Sequence, residues 1–145
     1  MLRLSKKVEY GILALQYIAE NPKKNVSAKE MSENLNISFE FLSKTLQKLM
    51  KSSLITSHKG LHGGYTMAKK AQEISVTDVI TALSENSNIV ACLDNEDNPV
   101  CDRDDNCSIR YNMIGLQKEI NSVFAKMTIA EMVSSKLNKT EGFYG

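Results

Sequence analysis

Ser27-Ala-Lys-Glu-Met-Ser-Glu-Asn-Leu-Asn36-Ile-Ser-Phe-Glu-Phe-Leu-Ser-Lys-Thr-Leu-Gln-Lys-Leu-Met-Lys51 is the stretch on which the fold turns. Ser27 and Glu30 have the spacing of a capping box, in which the hydroxyl accepts from the third helical amide and the carboxylate reaches back. A short helix to about Leu35 follows. Asn36 suits a turn that needs a left-handed backbone. Ser38 caps a longer helix that places Phe41, Leu42, Leu46, Leu49 and Met50 inward and Glu40, Ser43, Lys44, Gln47, Lys48 and Lys51 outward. Short helix, tight turn and longer helix together make a helix-turn-helix.

Working outward, Ser5 to about Glu20 keeps helical spacing through Val8, Ile12, Leu15 and Ala19. Pro22 forces the residue before it out of the helical region and ends that helix. On the other side, Leu54-Ile-Thr-Ser-His58 and Tyr65-Thr-Met67 flank the turn-forming Lys59-Gly-Leu-His-Gly-Gly64. This is a short hairpin of the kind called a wing. Ser75-Val-Thr-Asp78 repeats the capped-start pattern and leads a helix to about Ser84.

Residues 86–106 are polar and acidic and read as a loop. A long helix from about Ser108 to Lys126 then carries Ile109, Met113, Leu116, Ile120, Val123 and Met127 at heptad spacing. An apolar stripe is more often core than interface. Here the preceding fold already closes its own core, so the seam points to a homodimer. Thr128-Ile-Ala-Glu131 starts a last helix. The expected organisation is a winged helix-turn-helix domain over 1–85, a cysteine-containing loop over 86–107, a dimerisation helix with a closing helix over 108–138, and a flexible tail over 139–145. The fold class is mainly α with a small β-hairpin wing.

Net charge is only +1, but it is unevenly spread: residues 1–70 hold 12 Lys+Arg against 5 Asp+Glu, and residues 71–145 hold 6 against 12. A basic half suits a polyanion. An α-helix fits the major groove and its leading residues face base edges. The longer helix would present Ser38, Phe39, Glu40, Ser43, Lys44 and Gln47 there. Lys48 and Lys51 suit phosphates. Lys59, His62 and Gly63 on the wing suit backbone or minor groove, and Arg3, Lys6, Lys7 and the Ser27 helix start suit phosphates. The expected partner is double-stranded DNA with a palindromic operator, since symmetric dimers read paired half-sites.

No apolar run reaches the roughly 20 residues needed to cross a membrane, and the start lacks a signal-peptide pattern. A cytoplasmic protein without a small-molecule substrate is expected. No nucleophile–base pair and no phosphate-cradling glycine motif appears, and His58 and His62 both fall in the hairpin, so an enzyme is not expected.

Cys92, Cys101 and Cys107 lie within sixteen residues. An odd number argues against a disulfide framework. Thiolates so spaced can hold an iron–sulfur cluster or a soft metal. Structural zinc usually wants a pair two to four residues apart, which this loop lacks. Calcium ranks third: Asp94, Glu96, Asp97, Asp102, Asp104 and Asp105 are plentiful, but the EF-hand glycine and final glutamate are out of register. A solvated acidic loop with three free thiols is the plain alternative.

Met1-Leu-Arg-Leu-Ser-Lys6, Glu9-Tyr10, Asn36-Ile-Ser-Phe-Glu-Phe-Leu42, Leu54-Ile-Thr-Ser57, Lys59-Gly60, Gly63-Gly-Tyr65, Val76-Thr-Asp-Val-Ile80 and Thr128-Ile-Ala-Glu131 together resemble the IscR/NsrR/CymR-type family of winged-helix transcription regulators. The resemblance implies that Cys92, Cys101 and Cys107 are ligands of an iron–sulfur cluster, most often 2Fe–2S and sometimes 4Fe–4S. IscR-like members use a His shortly after the third Cys, where Arg110 stands here. NsrR-like members use a carboxylate just before the Tyr of the first helix, given by the partner subunit, and Glu9 holds that place. The resemblance thus implies Glu9 as fourth ligand, beside water, a thiol or another acid. Cluster-free relatives imply a regulator that senses through thiol oxidation or a protein partner. A small redox or electron-carrier module is the reading from another class, and it leaves the helix-turn-helix and wing unexplained.

Overall fold

The computed structural model describes residues 3–93 and 106–138, without the side chains of 137 and 138. Helix α1 (Lys6–Glu20) starts where the Val8 amide donates to Ser5 Oγ at 3.4 Å. It buries Val8, Gly11, Ala14, Leu15 and Ile18 on one face and ends at Asn21. Gly11 is where α1 meets the later helix α4: a Cβ there would lie 2.9 Å from Leu83 Cδ1 and 3.2 Å from Val79 Cγ1.

Helix α2 (Ala28–Leu35) and helix α3 (Phe39–Lys51) form the helix-turn-helix. Ser27 Oγ accepts from the Glu30 amide at 3.0 Å, and Ser38 Oγ from the Phe41 amide at 3.2 Å. Asn36 takes the left-handed conformation, φ 53° and ψ 46°. One half of the expected capping box is replaced. Glu30 does not reach back to Ser27; its carboxylate accepts from the Tyr17 hydroxyl and the Lys24 ammonium. An ammonium donor outweighs one neutral amide at the surface.

Strands β1 (Ile55–His58) and β2 (Gly64–Met67) pair antiparallel, with Ile55 opposite Met67 and His58 opposite Gly64. Leu54 precedes the strand, packed in the core. Val26 adds a one-residue bridge to Tyr65, with amide-to-carbonyl bonds of 3.0 and 2.8 Å. That bridge needs Gly64: a Cβ there would lie 2.7 Å from the Val26 carbonyl carbon.

After a 3-10 turn (Ala71–Glu73), α4 (Val76–Ala82) carries the full capping box. The Asp78 amide donates to Ser75 Oγ at 3.2 Å and the Ser75 amide donates to Asp78 Oδ2 at 2.8 Å. The helix is shorter than expected, because Leu83 caps it and Ser84 turns left-handed at φ 54°. The following segment contains a 3-10 turn at Ala91–Leu93. Cys101, most of the expected loop and the expected tail lie outside the described residues.

Helix α5 (Arg110–Lys126) begins two residues later than expected, because Ser108 and Ile109 precede it and Ile109 offers no capping side chain. Helix α6 (Ile129–Asn138) has a reciprocal cap, with Glu131 and Thr128 exchanging amide-to-side-chain bonds of 3.3 and 3.0 Å. It folds back on α1: Gln16 Nε2 donates to the Met132 carbonyl at 3.1 Å, and Lys136 pairs with Glu20 at 3.0 Å. Bonds from Val76 N–H to Met127 (3.0 Å) and from Ile129 N–H to Ile74 (2.9 Å) tie the start of α4 to the α5–α6 junction. Ile129 shares one core with Leu15, Ile18, Met31, Leu42, Leu46, Leu49, Ile74 and Leu83. The architecture is a winged helix-turn-helix with a long helix joined to it at α4.

Candidate nucleic-acid interface and cysteine segment

Helix α3 turns one face into the core and leaves the other open. Leu42, Thr45, Leu46 and Leu49 are buried, and the Tyr10 and Phe41 rings meet edge-on at 5.4 Å to fix α3 against α1. On the open face stand Ser38, Phe39, Glu40, Lys44 and Gln47, with Ser43 half-buried beside them. Phe39 keeps 55% of its surface at the leading end. Glu40 and Lys44 pair at 3.1 Å one turn apart. Such an exposed pair is weak enough to open for a competing partner. Lys51 is exposed at the helix end. Lys48 turns the other way, its ammonium donating to the Leu83 carbonyl at 3.4 Å.

The wing stands beside α3, held at three points. Asn25 Nδ2 donates to the His62 carbonyl at 2.9 Å, the His58 ring meets Thr66 Oγ1 at 2.8 Å, and the Val26–Tyr65 bridge closes its base. Its tip is a turn in which the Gly63 amide donates to the Gly60 carbonyl at 3.0 Å and Gly60 sits at φ +114°. Lys59 and His62 are exposed there. Pro22, Lys23, Lys24, Ser27, Glu30 and the wing tip enclose a cleft of about 610 Å³. At the α2 start the Glu30 carboxylate is held below the usual carboxylate range, chiefly by the Lys24 hydrogen bond. The α2 start thus already carries its own anion, next to the amides expected to face a phosphate.

The first-helix cations are already engaged. Lys6 pairs with Glu9, which raises the Lys6 pKa through that hydrogen bond. Lys7 pairs with Glu85 at 2.9 Å, and this bond holds the Glu85 carboxyl low. Arg3 is exposed and, with Leu4, lines a cleft of about 270 Å³ against Asn86–Ile89 and Phe124. Arg3 and Leu4 therefore lie across a cleft from the segment that leads to Cys92.

That segment is also tied to α5. Gln117 is 5% exposed. Its Oε1 accepts from the Ile89 amide at 2.8 Å, and its Nε2 donates to the Ser87 carbonyl at 3.2 Å and to Asn121 Oδ1 at 2.8 Å. A buried polar group needs this satisfaction. Sequence reading missed Gln117, because a lone Gln on a polar helix carries no periodic signal. Asn25 was missed because it stands in a short loop, where no periodicity marks it.

Cys92, in the 3-10 turn, and Cys107, just before α5, are free thiols and half-buried. Cys101 lies outside the described residues. Among those described, no group of three or more His, Cys, Asp or Glu side chains converges as a metal site, and Glu9 remains beside Lys6. The chemistry of the two placed donors fits an iron–sulfur group: unpaired soft sulfurs, reachable yet partly shielded, at the two ends of one segment. Among the described residues the heptad seam of α5 is left largely uncovered: Ile109, Leu116, Val123 and Met127 are exposed, Val123 at 59%, while Met113 and Ile120 are half-buried. No helix among the described residues is long and apolar enough to cross a membrane.

Comparison with known proteins gives these features a context. A family model described as "Rrf2: Iron-dependent Transcriptional regulator" matches residues 4–135. Protein rrf2 of Nitratidesulfovibrio vulgaris (Hildenborough) is 39% identical over 103 residues, 70% of this chain and 67% of the relative. The HTH-type transcriptional regulator IscR of Serratia proteamaculans is 30% identical over 136 residues, 93% of this chain and 81% of its own length. Among solved structures, T. potens IscR superposes with a TM-score of 0.75 at 26% identity, covering 99% of this chain and 94% of that one. CymR, the global cysteine regulator of B. subtilis, shares the fold with a TM-score of 0.74 at 23% identity, covering 93% and 98%. With its winged helix-turn-helix, its long α5 and a match along almost its whole length, the chain belongs to the Rrf2 family of transcriptional regulators.

Proposed function

We propose that the chain acts in the cytoplasm as a homodimer whose affinity for a palindromic operator is set by an iron–sulfur cluster held by Cys92, Cys101 and Cys107. The carrying observation is the pair of free, half-buried thiols at the two ends of one segment, Cys92 being three residues beyond the Ile89 amide that Gln117 holds. A 2Fe–2S cluster ranks ahead of 4Fe–4S, on the family resemblance. Glu9 of the partner subunit is the proposed fourth ligand; its carboxylate would have to leave Lys6, an exposed pairing of small worth.

When bound, such a cluster supplies an oxidant-sensitive centre with visible absorption. The chain supplies the linkage. A restraint at Cys92 is felt at Ile89 and, through Gln117, on α5. It is felt on α1 through the Lys7–Glu85 pair. The exposed α5 seam is the proposed dimer face. In the proposed complex the open face of α3 (Ser38, Phe39, Glu40, Ser43, Lys44, Gln47) enters the major groove. Lys59, His62 and Gly63 meet the flanking backbone, Arg3, Lys6 and Ser27 lie nearer the phosphates, and Lys48 would join them on leaving the Leu83 carbonyl. The domain boundaries expected from the sequence, 1–85, 86–107 and 108–138, belong to this same proposal.

The test is an absorption spectrum of protein purified without oxygen, with iron and acid-labile sulfide assayed on the same sample. Visible bands that disappear in Cys92→Ser, Cys101→Ser and Cys107→Ser are expected, and a shifted spectrum in Glu9→Ala. An iron-free, colourless protein after anaerobic reconstitution refutes the cluster. The second reading rests on the same free thiols, open to direct oxidation: it expects that colourless protein to bind DNA and to lose affinity on treatment with peroxide.

A further inference from the structure

Leu61 is the feature that none of this uses. It keeps 96% of its surface, more than any other large apolar side chain described. Single exposed leucines are ordinary on protein surfaces, but this one cannot retreat. It follows Gly60 in the Gly60–Gly63 turn, whose far side is packed so closely that a Cβ on Gly63 would lie 2.5 Å from the His58 carbonyl oxygen. Asn25 pins the His62 carbonyl and the Val26–Tyr65 bridge fixes the base. The isobutyl group is therefore presented to solvent on a hydrogen-bonded tip. Beside it stand Lys59 and the His62 ring on the tip, and across the cleft that Leu61 helps to line stand Lys23 and Lys24, the latter paired with Glu30. Among the described residues Lys59 and His62 make no ion pair.

An apolar side chain flanked by lysines suits a groove of double-stranded DNA: the lysines face the phosphate rims, and the leucine meets the floor, where the base edges carry their hydrogen-bonding groups. The minor groove is about 6 Å wide, and its floor differs between A·T and G·C by the guanine 2-amino group. A leucine against that amino group would strip its water without giving an acceptor in return. We infer that Leu61 is a sequence-discriminating contact that seats in the minor groove flanking each half-site and selects A·T over G·C there. The inference rests on the DNA-binding half of the proposed function and not on the cluster.

The test uses the full chain, as wild type and as Leu61→Ala. A change at so exposed a position should leave folding untouched, which a thermal melt checks. Both proteins are used to select duplexes from a random-sequence library, and affinities are then measured for selected sites carrying A·T, G·C or inosine·C pairs in the flanks. Inosine lacks the 2-amino group, so its pair with C presents an A·T-like minor groove. The wild type is expected to enrich A·T flanks around a core motif, to lose affinity on the order of tenfold with G·C flanks, and to regain it with inosine·C. Leu61→Ala should keep the core motif and treat all three flanks alike. A flank preference identical in both proteins, or absent in the wild type while a core motif is still enriched, overturns the role of Leu61 and leaves DNA binding standing. No enriched motif with either protein refutes the DNA-binding reading and this inference with it.

Discussion

Gln117→Leu removes every hydrogen bond between α5 and the segment leading to Cys92 that the Gln117 amide makes, while filling a similar volume. In the wild type the Ile89 amide, the Ser87 carbonyl and the Asn121 side chain all depend on that amide. Ser87 and Ile89 are half-buried and Asn121 is exposed, so water replaces part of what is lost. Counting about 1 kcal/mol for each of the two backbone groups, the low end for a stranded polar group, gives a destabilisation of roughly 2 kcal/mol. Gln117→Glu separates geometry from chemistry. It keeps an acceptor for the Ile89 amide but sets a second acceptor against the Ser87 and Asn121 oxygens. Burial and those oxygens raise the pKa of the new carboxyl above its unfolded value. The penalty is therefore full above the folded pKa and falls away as pH drops through it, when the protonated form can donate. Equilibrium urea titrations at fixed protomer concentration measure the stability, and hydrogen exchange at the Ile89 amide reports the local opening. A Gln117→Leu protein within about 0.5 kcal/mol of wild type, with Ile89 exchange unchanged, would refute the clamp.

Gly64→Ala forces a Cβ to 2.7 Å from the Val26 carbonyl carbon; the expected loss is about 1–3 kcal/mol in a denaturant titration, with the His62-side wing signals shifted in the NMR spectrum. Glu30 and Glu85 have folded pKa values held down by Lys24 and Lys7. Their contribution is complete above the ordinary carboxylate range and disappears as pH falls through the lowered folded values. Glu30→Gln and Glu85→Gln should flatten the acid side of a plot of melting temperature against pH, and an unaltered acid side would contradict the pairing. Val123→Asp places a charge in the exposed α5 seam; if the seam is the proposed dimer face, sedimentation should find a wild-type dimer and a Val123→Asp monomer at the same concentration, with helical content retained.

What the sequence disclosed was local. Ser5, Ser27, Ser38, Ser75 and Thr128 all accept from the amide three residues on or nearby in the helix they open, because capping depends on spacing that is written in the chain. Asn36 and the wing glycines were legible for the same reason. Pairings across long stretches were not. Lys7 finds Glu85 seventy-eight residues on, Gln117 finds Ser87 and Ile89, and Glu30 turns from its own helix start to Tyr17 and Lys24. Lys48 has the pattern of an outward-facing cation, yet the end of α4 lies within its reach. The cysteine spacing pointed to a ligand set, but spacing alone fixes no coordination; Cys92 and Cys107 are placed and Cys101 is not among the described residues.

The return of α6 onto α1 has a consequence for how the protein is made. Ile129 completes a core whose other members all lie before residue 84, and Gln16 and Glu20 wait for partners at Met132 and Lys136. A ribosome that has released only the first hundred residues has exposed the whole helix-turn-helix and wing, but not the segment that seals them. Nascent or prematurely terminated chains therefore carry an unsealed apolar face, which invites chaperones and proteases. A fragment with α3 and the wing but without α5 and α6 is therefore expected to be cut by a protease faster than the whole chain, because it lacks Ile129 and the partners of Gln16 and Glu20.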